Sequence, residues 1–299
     1  MPSHVRSLRL PAMLVLGVAA LALGACSPLT AFANLTPTDP SRKLAGDVAY
    51  GPDPRQALDV YAPAEGQGPW PVAVFFYGGS WEDGRRQDYG WVGRALAAEG
   101  FLTVVPDYRL HPQVRFPAFL EDGAGAVAWA ANNAERFGGD PQRIVLAGHS
   151  AGAYNALMLA LDETYLEAAG VTPARIRAVA GLAGPYDFLP LTGEITPKVF
   201  GAAEDLSATQ PVNFPRADAP PAFLAAGGED EVVEAEDTRI LQARLSAAGA
   251  PAAARIYPDL GHAGILLALS RPLRGSAPVL EEMTAFLRRH VDAAAPNTR

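Results

Sequence analysis

The sequence predicts an α/β fold: a mostly parallel, doubly wound sheet with an antiparallel hairpin at its N-terminal edge and a short insertion above it. Short, continuous apolar runs recur at 72–77 (VAVFFY), 101–106 (FLTVVP), 143–148 (RIVLAG), 178–183 and 222–226. Such runs fit strands buried on both faces of a parallel sheet. Helix-compatible stretches separate them, at 89–99, 116–137, 151–161, 234–247 and 278–291. That alternation builds a parallel sheet through right-handed crossovers. The chain has 299 residues, 49% of them hydrophobic, enough for one large domain with a substantial core. Its 29 glycines and 27 prolines indicate an ordered fold rich in tight turns.

The N-terminus reads as an address and not as part of the fold. Arg6 and Arg9 form a short basic region, residues 10–23 carry no charge, and no acid appears before Asp39. Fourteen apolar residues are short for a membrane span, which needs about 20, but suit a secretory signal. The chain's single cysteine closes this run in Leu23-Gly24-Ala25-Cys26. That resembles the bacterial lipobox, in which the cysteine becomes the lipidated first residue. The competing reading is an ordinary signal cleaved after Ala31-Phe32-Ala33. The expected organisation is therefore a lipoprotein-type signal over 1–25, a flexible tether over 26–45 and one domain over 46–295. Acyl chains on Cys26 would hold the protein to a membrane of the bacterial envelope without a spanning helix.

Within the domain, 47–51 and 56–61 flank Pro52-Asp53-Pro54 and read as the edge hairpin. The segment 188–219 breaks the strand–helix alternation with many Pro and Thr and reads as a small insertion. Several functions are excluded early. The net charge of −8, becoming −10 once Arg6 and Arg9 leave with the signal, gives no basic footprint for nucleic acid. One cysteine allows no intrachain disulfide and no cysteine zinc site. There is no H-E-x-x-H and no Gly-rich phosphate loop. No metal or cofactor is called for.

The strongest chemical signal is Gly148-His149-Ser150-Ala151-Gly152, placed after the run IVLA and before a helix-compatible stretch. A serine forced onto a tight strand-to-helix turn needs small neighbours, and this context is that of a nucleophile elbow. The Ala151 N–H then points where an oxyanion would form, aided by the positive helix end. A serine hydroxyl needs a base. Only His262 and His290 follow Ser150. His290 sits in Arg288-Arg289-His290 at the end of the last helix, where a solvated cation is expected. His262 lies in a small-residue loop, Asp259-Leu260-Gly261-His262-Ala263-Gly264, after the strand-like 253–257. The acid is expected after 222–226, in Gly227-Gly228-Glu229-Asp230-Glu231. Asp230 is favoured there, with Asp259 in reserve, and would hold the His262 ring in its productive tautomer. Further oxyanion donors are expected from Gly78-Gly79-Ser80-Trp81, just after VAVF, where glycines let backbone approach a carbonyl.

Together these residues resemble the α/β-hydrolase esterases, over about residues 50–291. The resemblance is strongest to the branch with a short H-G-G-x-W oxyanion loop: feruloyl-esterase-like carboxylesterases, relatives of hormone-sensitive lipase, isoprenylcysteine methylesterases and kynurenine formamidases. It is carried by 56–61 (QALDVY) with Pro63, Tyr77-Gly78-Gly79-Ser80-Trp81, Asp107-Tyr108-Arg109-Leu110, Phe116-Pro117, Glu121-Asp122, 138–141 (GGDP) and the Ser150 pentapeptide. It implies an α/β-hydrolase fold, a Ser150–Asp230–His262 triad, oxyanion donors at Gly79, Ser80 and Ala151, and cleavage of small carboxylic esters through an acyl-enzyme. The sequence departs at Tyr77, where histidine is usual, and at Ser80, where the lipase-like relatives have a third glycine. The competing functions are the same triad acting on an amide, formamide or peptide bond, and a binding lipoprotein that uses the fold without catalysis. Asp107-Tyr108-Arg109 and the adjacent Glu121 and Asp122 read as structural.

Overall fold

The computed structural model describes residues 36–292; the signal over 1–25 and Cys26 lie outside the described residues. Eight strands form one sheet: β1 (Ser41–Ala49), β2 (Ala57–Pro63), β3 (Trp70–Phe76), β4 (Leu102–Pro106), β5 (Gly139–His149), β6 (Ile176–Leu182), β7 (Ala222–Gly227) and β8 (Ala252–Tyr257). Their order is β1-β2-β4-β3-β5-β6-β7-β8. β1 pairs antiparallel with β2, and β2 antiparallel with β4, whereas every other pairing is parallel. The central strands are buried along their whole apolar runs because helices cover both faces.

The edge hairpin starts earlier than the sequence pattern indicates. Residues 41–45, expected within the tether, belong to β1. This strand has no apolar alternation because its outer side is solvated and its anchors are polar. Arg42 Nε donates to the Pro63 carbonyl at 3.0 Å, and Lys43 pairs with the buried Asp59 at 2.8 Å. Even Asp39, two residues ahead, is buried and accepts from the two terminal nitrogens of the Arg274 guanidinium, at 3.0 and 2.8 Å.

The helices are α1 (Gly90–Ala98), α2 (Ala118–Asn133), α3 (Ala151–Leu161), α4 (Glu163–Ala168), α5 (Thr196–Phe200), α6 (Ala235–Ala248), α7 (His262–Leu267) and α8 (Val279–Asp292). None is long and apolar enough to cross a membrane, among the described residues. α3 is buried on every side, as befits the helix behind the sheet's centre. α8 instead buries Val279, Leu280, Met283, Leu287 and Val291, one stripe at helical spacing. α4, α5 and α7 were invisible to the sequence pattern: five or six residues are too few to show a period. The insertion at 188–219 carries α5 and two 3₁₀ turns and is docked by aromatic side chains. The Phe200 ring meets Trp81 edge-on at 4.8 Å, and Phe188 packs 5.1 Å from Phe200.

Chain order reverses direction about β3: the next strand, β4, lies to one side, and β5 to β8 lie to the other. A parallel sheet opens a crevice beyond the carboxyl ends of its strands at such a switch point. The loops after β3 and β5 meet there, with Phe76 in register with Gly148.

Candidate active site

Four loops converge at that crevice, one each after β3, β5, β7 and β8. Their meeting follows from register: Gly148 pairs with Gly181 across β5–β6, and Gly227 with Tyr257 across β7–β8. Ser150 sits on the turn between β5 and α3 at φ 54° and ψ −125°, a conformation costly for a residue with a Cβ. The surroundings enforce it. The Ser150 N–H donates to the Leu182 carbonyl of β6 at 2.9 Å. A Cβ on Gly148 would lie 2.1 Å from the Gly152 carbonyl oxygen, and one on Gly152 would lie 2.1 Å from that of Phe76. No larger residue fits either place, so the glycines of the pentapeptide are required by close packing.

His262 Nε2 lies 2.9 Å from Ser150 Oγ, and His262 Nδ1 lies 2.9 Å from Asp230 Oδ2. The other Asp230 oxygen accepts the N–H groups of Val232 and Val233, each at 2.9 Å. With both oxygens engaged and a side chain 0% exposed, against 19% for His262, the acid is sealed while the imidazole opens to solvent. His262 is the first residue of α7 and not part of an open loop as its small neighbours indicate. Glu229, Glu231 and Asp259 are exposed, and the partner of the His262 ring is Asp230.

The loop after β3 runs through three consecutive residues of positive φ: Gly79 (127°), Ser80 (54°) and Trp81 (58°). Its turn is closed by the Gly79 carbonyl, which accepts from Glu82 and Asp83 N–H at 3.0 and 2.9 Å. Among the described residues, neither Gly79 nor Ser80 donates its own N–H in a backbone hydrogen bond. The Trp81 indole is buried, donates Nε1–H to Asn155 Oδ1 at 3.0 Å and packs edge-on against Tyr154 at 5.2 Å.

Tyr77, the departure from the usual histidine, anchors the start of this loop. Its ring is fully buried and stacked between Tyr89 (5.0 Å) and Tyr108 (4.9 Å). Its hydroxyl donates to Asp107 Oδ1 and accepts from Arg55 Nη2, both at 2.8 Å. Burial, with the Asp107 charge, pushes the phenol pKa well up, so it stays a donor. Arg55 also donates to the carbonyls of Gly84 and Tyr108, and Tyr108 Oη donates to the Tyr77 carbonyl at 2.7 Å. Asp107 further accepts from Arg86, whose guanidinium also meets Asp59 and Asp47. Asp122 is bound by Arg109 and Gln56. Asp107, Arg109 and Asp122, read as structural from the sequence, are thus engaged in hydrogen bonds and ion pairs with neighbouring side chains.

Sequence reasoning passed over Arg55 and Asn155, and found in His149 only a residue without metal-ligand spacing. Arg55 and Asn155 carry no motif. His149 occupies the variable second place of the pentapeptide, where only the fold reveals its partners. Among the described residues, no group of three or more His, Cys, Asp or Glu side chains gathers as a metal site. A separate groove of about 470 Å³, lined by Arg42, Trp70, Arg136 and Gly138, lies at the opposite end of the strands.

The family model BD-FAE matches residues 58–245, more than half of the chain. The chain is 31% identical over 273 residues to a probable isoprenylcysteine alpha-carbonyl methylesterase of Oryza sativa subsp. japonica, covering 83% of this chain and 63% of that one. It is likewise 31% identical over 267 residues to Esterase LipC of Mycobacterium tuberculosis, covering 80% of this chain and 64% of that one. It thus spans less than two thirds of these curated relatives. Among solved structures, a phosphonate-inhibited esterase B from Lactobacillus rhamnosis superposes with a TM-score of 0.77 at 21% identity, covering 94% of this chain and 96% of that one. The last likeness bears on the fold alone.

Proposed function

The chain belongs to the BD-FAE family of α/β-hydrolases, and from that premise we propose that it is a serine hydrolase of carboxylic esters. The observation that carries this reading is the unbroken chain from Ser150 Oγ through His262 to Asp230, with both links at 2.9 Å. It lies beside a loop in which, among the described residues, the Gly79 and Ser80 N–H groups make no backbone hydrogen bond. The esterase names of the relatives support the ester class.

In this reading His262 Nε2 takes the hydroxyl proton as Ser150 Oγ attacks the ester carbonyl carbon. The carbonyl oxygen becomes an oxyanion held by the N–H groups of Gly79, Ser80 and Ala151. Asp230 fixes the Nδ1–H tautomer and stabilises the imidazolium. The tetrahedral species collapses, the C–O bond breaks, and His262 protonates the departing alkoxide, leaving acyl-Ser150. Water, deprotonated by His262, attacks the acyl carbon; the C–Oγ bond to Ser150 breaks, His262 returns the proton to Oγ, and the carboxylic acid leaves. The test is hydrolysis of short p-nitrophenyl esters beside matched anilides. Ester turnover abolished by Ser150→Ala supports the reading, whereas anilide cleavage with no ester cleavage contradicts it.

The cellular setting belongs to the same proposal. Leu23-Gly24-Ala25-Cys26 supports a signal over 1–25 and lipidation of Cys26 at the bacterial envelope. The tether then runs from 26 to the strand that begins at Ser41.

A further inference from the structure

The residue ahead of the nucleophile has a place of its own in the site. The His149 ring is buried, and its Nε2 lies 2.9 Å from the backbone oxygen of His262. A carbonyl oxygen only accepts, so Nε2 must carry the proton. Burial, reinforced by the neighbouring His262 and opposed by the bond to its carbonyl and by Asp230, pulls the His149 pKa down to about 3. The ring is therefore neutral at any working pH, with Nδ1 bare. The two imidazoles lie 4.9 Å apart, tilted by 47°. A neutral ring at that distance places no second charge beside the His262 imidazole. On its other side His149 abuts the oxyanion loop: a Cβ on Gly78 would lie 3.2 Å from His149 Nδ1 and 2.9 Å from Ser150 Cβ. One ring thus meets the main chain that carries the base on one side and packs beside the loop before the oxyanion donors on the other.

We propose that His149 is a positioning residue, whose Nε2–H holds the main chain of His262 and so sets the imidazole that faces Ser150. The proposal rests on the triad reading above. His262 opens a helix of only six residues, entered through Gly261, so its ring position depends on how that first residue is held. A misplacement of about 1 Å in a reacting group can cost about a hundredfold in rate.

The experiment compares His149→Leu, which removes the donor at similar bulk, with His149→Gln, whose amide restores a donor. Active sites are counted by titration with an organophosphonate, and kcat per titrated site is measured on a short p-nitrophenyl ester. His149→Leu should lower kcat per site by about ten- to a hundredfold, with KM changed less than about twofold. His149→Gln should recover most of the loss. A side chain that merely packs would lower the number of competent sites and leave each site's kcat unchanged, and that result overturns the proposal. Should His149→Leu not fold, ¹⁵N NMR of the wild-type histidines reads the same claim. A neutral Nε2–H tautomer for His149, constant between about pH 5 and 8, is expected; an Nδ1–H tautomer or a titration inside that window overturns it. Absence of phosphonate labelling in the wild type would instead defeat the triad reading, so the two failures are distinguishable.

Discussion

The buried hydroxyl of Tyr77 donates to Asp107 across 2.8 Å and thereby joins the loop after β3 to the strand-end network beneath it. A histidine is usual at this place in the esterases the chain resembles. Here a longer side chain reaches the same region and is held by stacking on both faces and by a guanidinium, Arg55, that also grips Gly84 at the far end of the loop. The loop is therefore fixed at both ends by one connected set of side chains.

Removing that hydroxyl tests the connection. Tyr77→Phe leaves Asp107 and Arg55 each short of a buried partner, a cost of about 1–3 kcal/mol in stability. Urea unfolding should show this loss, and kcat should fall while KM holds if, as proposed, the loop acts on the oxyanion more than on the bound ester. Unchanged stability and kcat would show that Tyr77 only fills space.

Asp237 gives stability a pH dependence of known sign. Burial, with Asp187 and Glu234 nearby, raises its pKa to about 6, while the N–H groups of Tyr186 and Asp187 oppose the shift. The unfolded carboxyl titrates near 3.9. Between about pH 4 and 6 the folded state holds a proton that the unfolded state has lost, so this group's contribution falls as pH rises through that window. Asp237→Asn removes the titration, and its amide oxygen still accepts from Tyr186 N–H. The stability of Asp237→Asn relative to wild type should therefore rise from about pH 4 to 6 and then level off. Parallel curves across the window would contradict the assignment.

The sheet's central strands and the long helices were legible in the sequence because burial on both faces writes continuous apolar runs. The alignment of Ser150, His262 and Asp230 was legible for a different reason: a strained elbow demands glycines at fixed spacing, and only one downstream histidine sat among small residues. The first half of β1, residues 41–45, was hidden because Arg42 and Lys43 satisfy it through polar contacts with Pro63 and Asp59. The short helix that begins at His262 was hidden because six residues show no period. The contact between His149 and the His262 carbonyl spans 113 positions, and no local pattern encodes such a contact.

The choice of Asp230 over its acidic neighbours has a direct check. Asp230→Asn should preserve the fold yet reduce kcat by roughly 10³- to 10⁴-fold, because the amide favours the wrong His262 tautomer. Glu229→Gln and Asp259→Asn should retain nearly wild-type kcat. A large loss in Asp259→Asn with little in Asp230→Asn would reverse the assignment.

Lipidation of Cys26 is tested by fractionating cells that express the full chain. If Cys26 carries the proposed acyl chains, Cys26→Ser should move the protein from the membrane fraction to the soluble one. Unchanged partitioning would refute a lipid anchor at that residue.

Covalent trapping of the nucleophile bears most directly on the reading of the chain as a serine esterase. Wild-type protein is treated with an organophosphonate ester analogue, and the adduct is located by peptide mass spectrometry. One adduct on Ser150, absent from Ser150→Ala and slowed in His262→Ala, is the expected result. Labelling of Ser150→Ala at the wild-type rate, or an adduct on another residue, would contradict the account.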